Sequence, residues 1–231
     1  RDESGRPAQR AEQISRAVPG MTDKGEYRHF MEKEIHEQPD AIGRTLSRYI
    51  DVDENRFAVE AGFDWAAVDR LLLTACGTAY YAGAVARYWF EALARLPVEA
   101  DIASEFRYRE PVVGARDAAL FISQSGETAD TLAALRYVNA ASARSLAIVN
   151  VPESSIAREA AHVVLTQAGP EIGVASTKAF TAQLSALACL AGTAARARGL
   201  LSAEREAELV GALLESPRHV NEAMTVEAEI E

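Results

Sequence analysis

Two hydroxyl-rich turns carry residue types suited to holding an anion: Ser123-Gln124-Ser125-Gly126-Glu127-Thr128 and Val174-Ala175-Ser176-Thr177-Lys178. Each stands where an apolar strand or a loop gives way to a helical pattern. A helix start presents unpaired N–H groups and the positive end of a dipole. Serine and threonine hydroxyls add donors at the same spot, so such a turn can cradle a phosphate without clustered Lys or Arg. In the first turn Gly126 permits a tight bend, and each hydrogen bond to a charged ester contributes about 1.5–3 kcal/mol. One turn of this composition reads first as an N-cap and its neighbours; a second on the same rim shifts the reading toward the cradle.

Other candidates are weaker. Cys76-Gly77-Thr78 closes an apolar run, but the glycine spacing up to Gly83 is not that of a dinucleotide-binding turn, and no Walker lysine pattern is present. Cys76 has no histidine near it in sequence, and a packed thiol is the commoner role for such a residue. His29 and His36, seven apart with Glu32 between them, suit a solvated helix face better than a metal site, which wants ordered ligands and a supporting shell. No metal and no cofactor are expected. Glu171, just before the second turn, reads either as a proton shuttle for a sugar or as a rim carboxylate, and the second is favoured.

The elements that must position these turns follow from the hydrophobic pattern. Residues 27–50 hold two short helices divided at Pro39, because the residue before a proline is pushed out of helical conformation. Short apolar runs at 71–76, 97–102, 118–122, 145–149 and 162–165 read as strands. Helices are predicted at 79–95, 127–141, 176–197 and 202–215. Unbroken apolar strands alternating with helices imply an α/β fold: a three-layer α-β-α sandwich around a mostly parallel five-stranded sheet. Ligands of such sheets bind at the carboxyl ends of the strands, and Thr78, Ser123–Thr128 and Ser176 all fall at that rim.

Composition sets outer limits. With 24 basic against 34 acidic residues, a net of −10, the chain is a poor partner for nucleic acid. Two cysteines suit a reducing cytoplasm rather than a disulfide framework. The opening residues lack the apolar segment of a signal peptide. The most apolar helix, 179–195, carries Thr181, Gln183, Ser185 and Thr193 and reads as buried rather than membrane-spanning.

Taken together, the motifs resemble the first sugar-isomerase (SIS) domain of the glucosamine-6-phosphate synthase family, the isomerizing glutamine–fructose-6-phosphate aminotransferases. The resemblance rests on Ser-Gln-Ser-Gly-Glu-Thr at 123–128, Cys-Gly-Thr at 76–78 and Glu-Ile-Gly-Val-Ala-Ser-Thr-Lys-Ala-Phe at 171–180. Asp23-Lys24-Gly25, Tyr27 to Met31, Lys33-Glu34-Ile35, Glu37-Gln38-Pro39 and Ile102 to Arg109 fit as well. It implies an SIS fold, with residues 1–22 as the tail of a glutaminase domain and linker and 23–66 as leading helices. The phosphosugar-binding domain would be 67–200, and 201–231 would lead toward a second SIS domain.

The same resemblance implies function. The family converts fructose 6-phosphate and glutamine-derived ammonia to glucosamine 6-phosphate. Carried over by motif, Ser123, Gln124, Ser125 and Thr128 would hold the phosphate, while Thr78, Val174 and Ser176 would contact the sugar. Ala79 stands where the family often has serine, so that hydroxyl is not carried over. The chain begins at Arg1 rather than the glutaminase's N-terminal cysteine and stops at Glu231. The family's acid–base carboxylate, Schiff-base lysine and ring-opening histidine belong to a second SIS domain. An excerpt that binds fructose 6-phosphate or glucosamine 6-phosphate and catalyses nothing alone is therefore expected, self-associating as a homodimer. The alternatives are a ligand-sensing SIS regulator, which would want a basic helix-turn-helix, and a freestanding sugar-phosphate isomerase, which would need Glu171 and a histidine from a partner.

Overall fold

The computed structural model describes residues 23–141 and 143–230, so the expected tail at 1–22 lies outside them. Helices α1 (Phe30–His36) and α2 (Gln38–Tyr49) divide at Glu37, earlier than expected: Gln38, the residue before the proline, is the first of α2, and Pro39 sits in its first turn, where a missing N–H costs nothing. A hairpin of two-residue strands, β1 (Ile50–Asp51) and β2 (Arg56–Phe57), follows. Then come β3 (Arg70–Ala75), α3 (Gly77–Leu93), β4 (Val98–Ile102), α4 (Ala103–Arg109), β5 (Asp117–Ser123) and α5 (Ala129–Ala140). The chain continues through β6 (Arg144–Val149), α6 (Ser155–Glu159), β7 (His162–Leu165), α7 (Lys178–Ala197), α8 (Ala203–Leu214), α9 (Ser216–Met224) and α10 (Glu227–Ile230).

The five long strands form one parallel sheet in the order β4-β3-β5-β6-β7. Successive residues divide between its faces with period two. Leu71, Leu73, Ala118, Leu120, Ile122, Leu146 and Ile148 join a core with α2, α3 and α7. Leu72, Ala119, Phe121, Ala147 and Val149 pack with Phe106 of α4, Leu135 and Val138 of α5 and Ile156 of α6. The predicted α-β-α sandwich is thus the fold, and the strands are continuous apolar runs because both faces are covered.

Two predicted helices start later than their sequence pattern. Helix α5 begins at Ala129 rather than Glu127, because Thr128 is an extended N-cap (φ −61°, ψ 113°). Helix α7 begins at Lys178 rather than Ser176, because Thr177 lies outside helical conformation (φ −125°, ψ −83°). Fourteen of the twenty residues of α7 are buried in this chain's own core. Its apolar character is therefore used within the fold, as the expectation of a buried helix has it. No helix among the described residues is long and apolar enough to cross a membrane.

Candidate functional site

The strand order decides where a ligand site can form. From β3 the chain crosses to β4 on one side; from β5 it steps to β6 and β7 on the other. The carboxyl ends of β3 and β5, paired through Ala75 and Ile122, therefore diverge into loops on opposite faces and leave a crevice between them. Thr78, exposed in the first turn of α3, lies on one lip; the 123–128 turn is the other.

The 123–128 turn is fixed from behind. Ser123, 2% exposed, accepts from the Gly126 amide at 3.0 Å and shares a 3.0 Å hydrogen bond with Thr128 Oγ1. Gly126 adopts φ +66°, and a Cβ there would stand 1.9 Å from Ser154 Oγ, so both its dihedral and its packing demand glycine. The Gly126 carbonyl accepts from Ile156 N at 3.0 Å and the Gln124 carbonyl from Asn150 N at 3.2 Å. The Glu127 carboxylate accepts from Ser155 N at 2.7 Å at the start of α6. Hydrogen bonding from Ser155, with the Arg158 charge adding to it, holds the Glu127 carboxyl below the usual carboxylate range. Its negative charge is thereby spent at α6.

The front of the turn keeps donors. Ser125 Oγ accepts from Glu127 N at 3.2 Å, which leaves its own proton free to donate. Thr128 caps α5 without a side-chain cap bond. Ser123 Oγ accepts from Gly126 and shares one proton with Thr128 Oγ1; in the arrangement where Ser123 donates, the Thr128 hydroxyl keeps its own proton for a ligand. The first-turn amides of α5 have no intrahelical acceptor. At the same helix start, Asp130 of α5 is bridged at 2.9 Å by Arg107 of α4, a cation that the sequence pattern did not connect with the turn. The buried hydroxyls of Thr74 and Thr131 lack a protein partner among the described residues.

The second turn is built differently. Glu171 folds back over the start of α7, and its carboxylate accepts from Thr177 N (2.9 Å), Ala179 N (3.1 Å), Ser176 Oγ (3.0 Å) and Thr177 Oγ1 (3.4 Å). An internal carboxylate thus already occupies the helix start that was expected to help grip a phosphate. A second anion there would meet like charge. Val174 and Ser176 lie in the loop after β7, two strands along from β5, with Val174 fully exposed and Ser176 half-buried. Ser123, Gln124, Ser125 and Thr128 thus share one turn after β5, Thr78 starts the helix that follows the neighbouring strand β3, and Val174 and Ser176 lie on the separate loop after β7.

The remaining candidates are accounted for locally. His29 is the N-cap of α1 beside Glu32, whose carboxylate accepts from Arg28 N at 3.0 Å. His36 Nδ1 contacts the Glu32 carbonyl at 2.9 Å and its Nε2 lies 3.3 Å from Glu227. Among the described residues no three His, Cys, Asp or Glu side chains gather as metal ligands. Cys76 is half-buried, and Cys189 is buried.

Comparison with known proteins agrees with this fold. Residues 66–192 match the family model of the SIS domain. The chain is 56% identical to the glutamine–fructose-6-phosphate aminotransferase (isomerizing) of Bradyrhizobium diazoefficiens, over 100% of this chain and 38% of that protein. It is 55% identical to the same-named protein of Brucella abortus, over 99% of this chain and 38% of that one. Among solved structures, the C-terminal domain of glucosamine-fructose-6-phosphate aminotransferase from Francisella tularensis superposes with a TM-score of 0.84 at 39% identity, covering 90% of this chain and 59% of that domain. The chain thus spans about two-fifths of the length of the curated relatives it matches, 38% in each case. With a parallel sheet, a hydroxyl-lined turn at its switch point and a family match across more than half its length, this chain belongs to the SIS-domain family.

Proposed function

We propose that this chain is the first SIS half of the isomerase region of an isomerizing glutamine–fructose-6-phosphate aminotransferase, and that it holds the phosphate of fructose 6-phosphate. The observation that carries the reading is the 123–128 turn: the Ser125 hydroxyl, its proton unused within the turn, and the Thr128 hydroxyl stand with the start of α5 at the β3/β5 switch point. Ser123 and Gln124 hold that turn in shape, through the Ser123 hydroxyl and the Gln124 carbonyl. Thr78 on the opposite lip contacts the sugar, and the loop bearing Val174 and Ser176 closes on it from the β7 side. The 55–56% identity along the whole chain supports the assignment to that enzyme class.

The chemistry divides accordingly. Moving a proton between neighbouring carbons of a ketose needs a positioned base, whereas a phosphate handle supplies binding energy and orientation far from the reacting carbons. Glu171, the carboxylate nearest the second turn, is committed to four hydrogen bonds at the start of α7 and is not free to shuttle protons. This domain supplies the handle, in a reducing cytoplasm, and turns over no sugar alone.

Calorimetric titration with fructose 6-phosphate tests the reading. Ser125→Ala and Thr128→Val should each weaken binding about tenfold, the loss of one hydrogen bond to a charged group, with little change in Tm. Unchanged affinity in both variants, or aldose–ketose conversion by this chain alone, overturns it.

A further inference from the structure

The second half of the β7–α7 loop is tied to the region of α1 and α2, which precedes the sheet in sequence, as well as to its own Glu171. Its first half is tied to the end of β6, where Asn150 Nδ2 donates to the Gly169 carbonyl at 2.8 Å and Asn150 Oδ1 accepts from Ala168 N at 3.1 Å. Beyond Gly169, two carboxylates from the region of α1 and α2 reach the loop and the foot of α7, Glu34 and Glu37. Glu34 of α1 is 2% exposed. Its Oε1 accepts from Ile172 N at 2.5 Å and Gly173 N at 3.1 Å, and its Oε2 from Gly173 N at 3.1 Å. Glu37 receives the buried Lys178 ammonium at 2.5 Å at the foot of α7.

A buried carboxylate persists only where its oxygens are met by donors, and here the donors are two successive backbone amides of the loop. The fit is close on both sides. A Cβ on Gly173 would lie 2.5 Å from Glu34 Oε2 and 3.4 Å from Met31 Cα, so no larger residue passes there without moving the carboxylate. Val174, the next residue, projects fully into solvent.

We propose that Glu34 is a positioning residue for the sugar moiety of the bound ligand: by fixing the Ile172 and Gly173 amides it sets the path of the loop that presents Val174 and Ser176. The inference rests on the phosphosugar reading above and assigns the two ends of the ligand to separate devices. The phosphate is governed by the start of α5 and the sugar by the loop that α1 clamps. Fructose 6-phosphate and inorganic phosphate should therefore respond differently to the same substitution.

The test compares affinities for both ligands in the wild-type chain, Glu34→Ala and Glu34→Gln, with hydrogen exchange read at the Ile172 and Gly173 amides. Glu34→Ala should weaken fructose 6-phosphate about tenfold through lost charge-assisted hydrogen bonds. Inorganic phosphate, bound at a separate site, should change by no more than about twofold. Glu34→Gln, which keeps an acceptor at the same reach, should recover part of the loss, and exchange at the two amides should quicken in the order Glu, Gln, Ala. Equal weakening of both ligands, an unchanged fructose 6-phosphate affinity or unaltered exchange overturns the positioning role while leaving the phosphate site standing. A wild-type chain that binds neither ligand overturns the site reading and this inference with it.

Discussion

Serine and threonine beside a helix start meet two fates in this molecule, and a single carboxylate decides between them. Ser125 Oγ accepts from a backbone amide and keeps its proton, whereas Ser176 Oγ gives its proton to Glu171. The two turns look alike in sequence, since both place hydroxyls before a helical pattern. What separates them is Glu171 folding back onto α7, a closure that local composition does not encode. Glu34 was less readable still, because its two amide partners lie 138 and 139 residues away. The cysteines show the same dependence on surroundings. Burial pushes the Cys189 thiol up to about 12, so at pH 8 it carries almost no thiolate and little access to reagent. Cys76, the half-buried N-cap of α3, is the more accessible of the two. Iodoacetamide at pH 8 should modify Cys76 and leave Cys189 intact in the native chain, both reacting after denaturation. Mass spectrometry showing native labelling at Cys189 would contradict the packing of α7.

Elements buried on both faces were readable, and those defined by few contacts were not. Strand β7 has the bounds that its apolar run predicts, His162–Leu165. Helix α4 was missed because only Ala103 and Phe106 of its seven residues are buried, too few to show a helical period. The hairpin of β1 and β2 was missed because two-residue strands carry no alternation. Helix α6 has five residues, and its start is held by the Ser154 hydroxyl and by Glu127 from a distant turn. The missed α4 matters for the site. Its Arg107 donates to Asp130 in the first turn of α5, and that hydrogen bond raises the Arg107 pKa. Without Arg107, the Asp130 carboxylate would stand uncompensated at the helix start proposed to hold a phosphate. Arg107→Ala should weaken inorganic phosphate binding roughly two- to fivefold, as expected for a half-exposed pair. Adding Asp130→Asn should restore most of the loss, and the effect should shrink in high salt. Equal affinity for wild type and Arg107→Ala at low salt would remove α4 from the site.

At the scale of the molecule, a net charge of −10 was countable from the sequence, but the pairing that makes this charge tolerable was not. The folded surface sets arginines against carboxylates across elements that are remote in sequence. Arg116 meets Asp69 at 2.7 Å, and Arg136 meets Glu159 at 2.6 Å. The hydrogen bond from Arg116 holds Asp69 below its ordinary value of 3.8, and that from Arg136 holds Glu159 below 4.5. Glu127, Glu204 and Glu215 are lowered from 4.5 as well, by hydrogen bonds at or near helix starts and, for Glu215, by Arg218. A carboxyl whose folded pKa lies below its unfolded value binds its proton first in the unfolded chain. Its stabilising contribution is therefore complete above the unfolded pKa and is lost as pH falls through the folded one. All five shifts have the same sign, so their losses accumulate in one acid window. Tm should decline progressively as pH is lowered from about 5 toward 3, and the decline should be shallower in high salt, where exposed pairs are already screened. Arg136→Met should return the Glu159 carboxyl toward its ordinary titration, visible in its side-chain carbon resonance. A Tm that holds constant down to pH 3 would mean that these surface pairs contribute nothing to the native state.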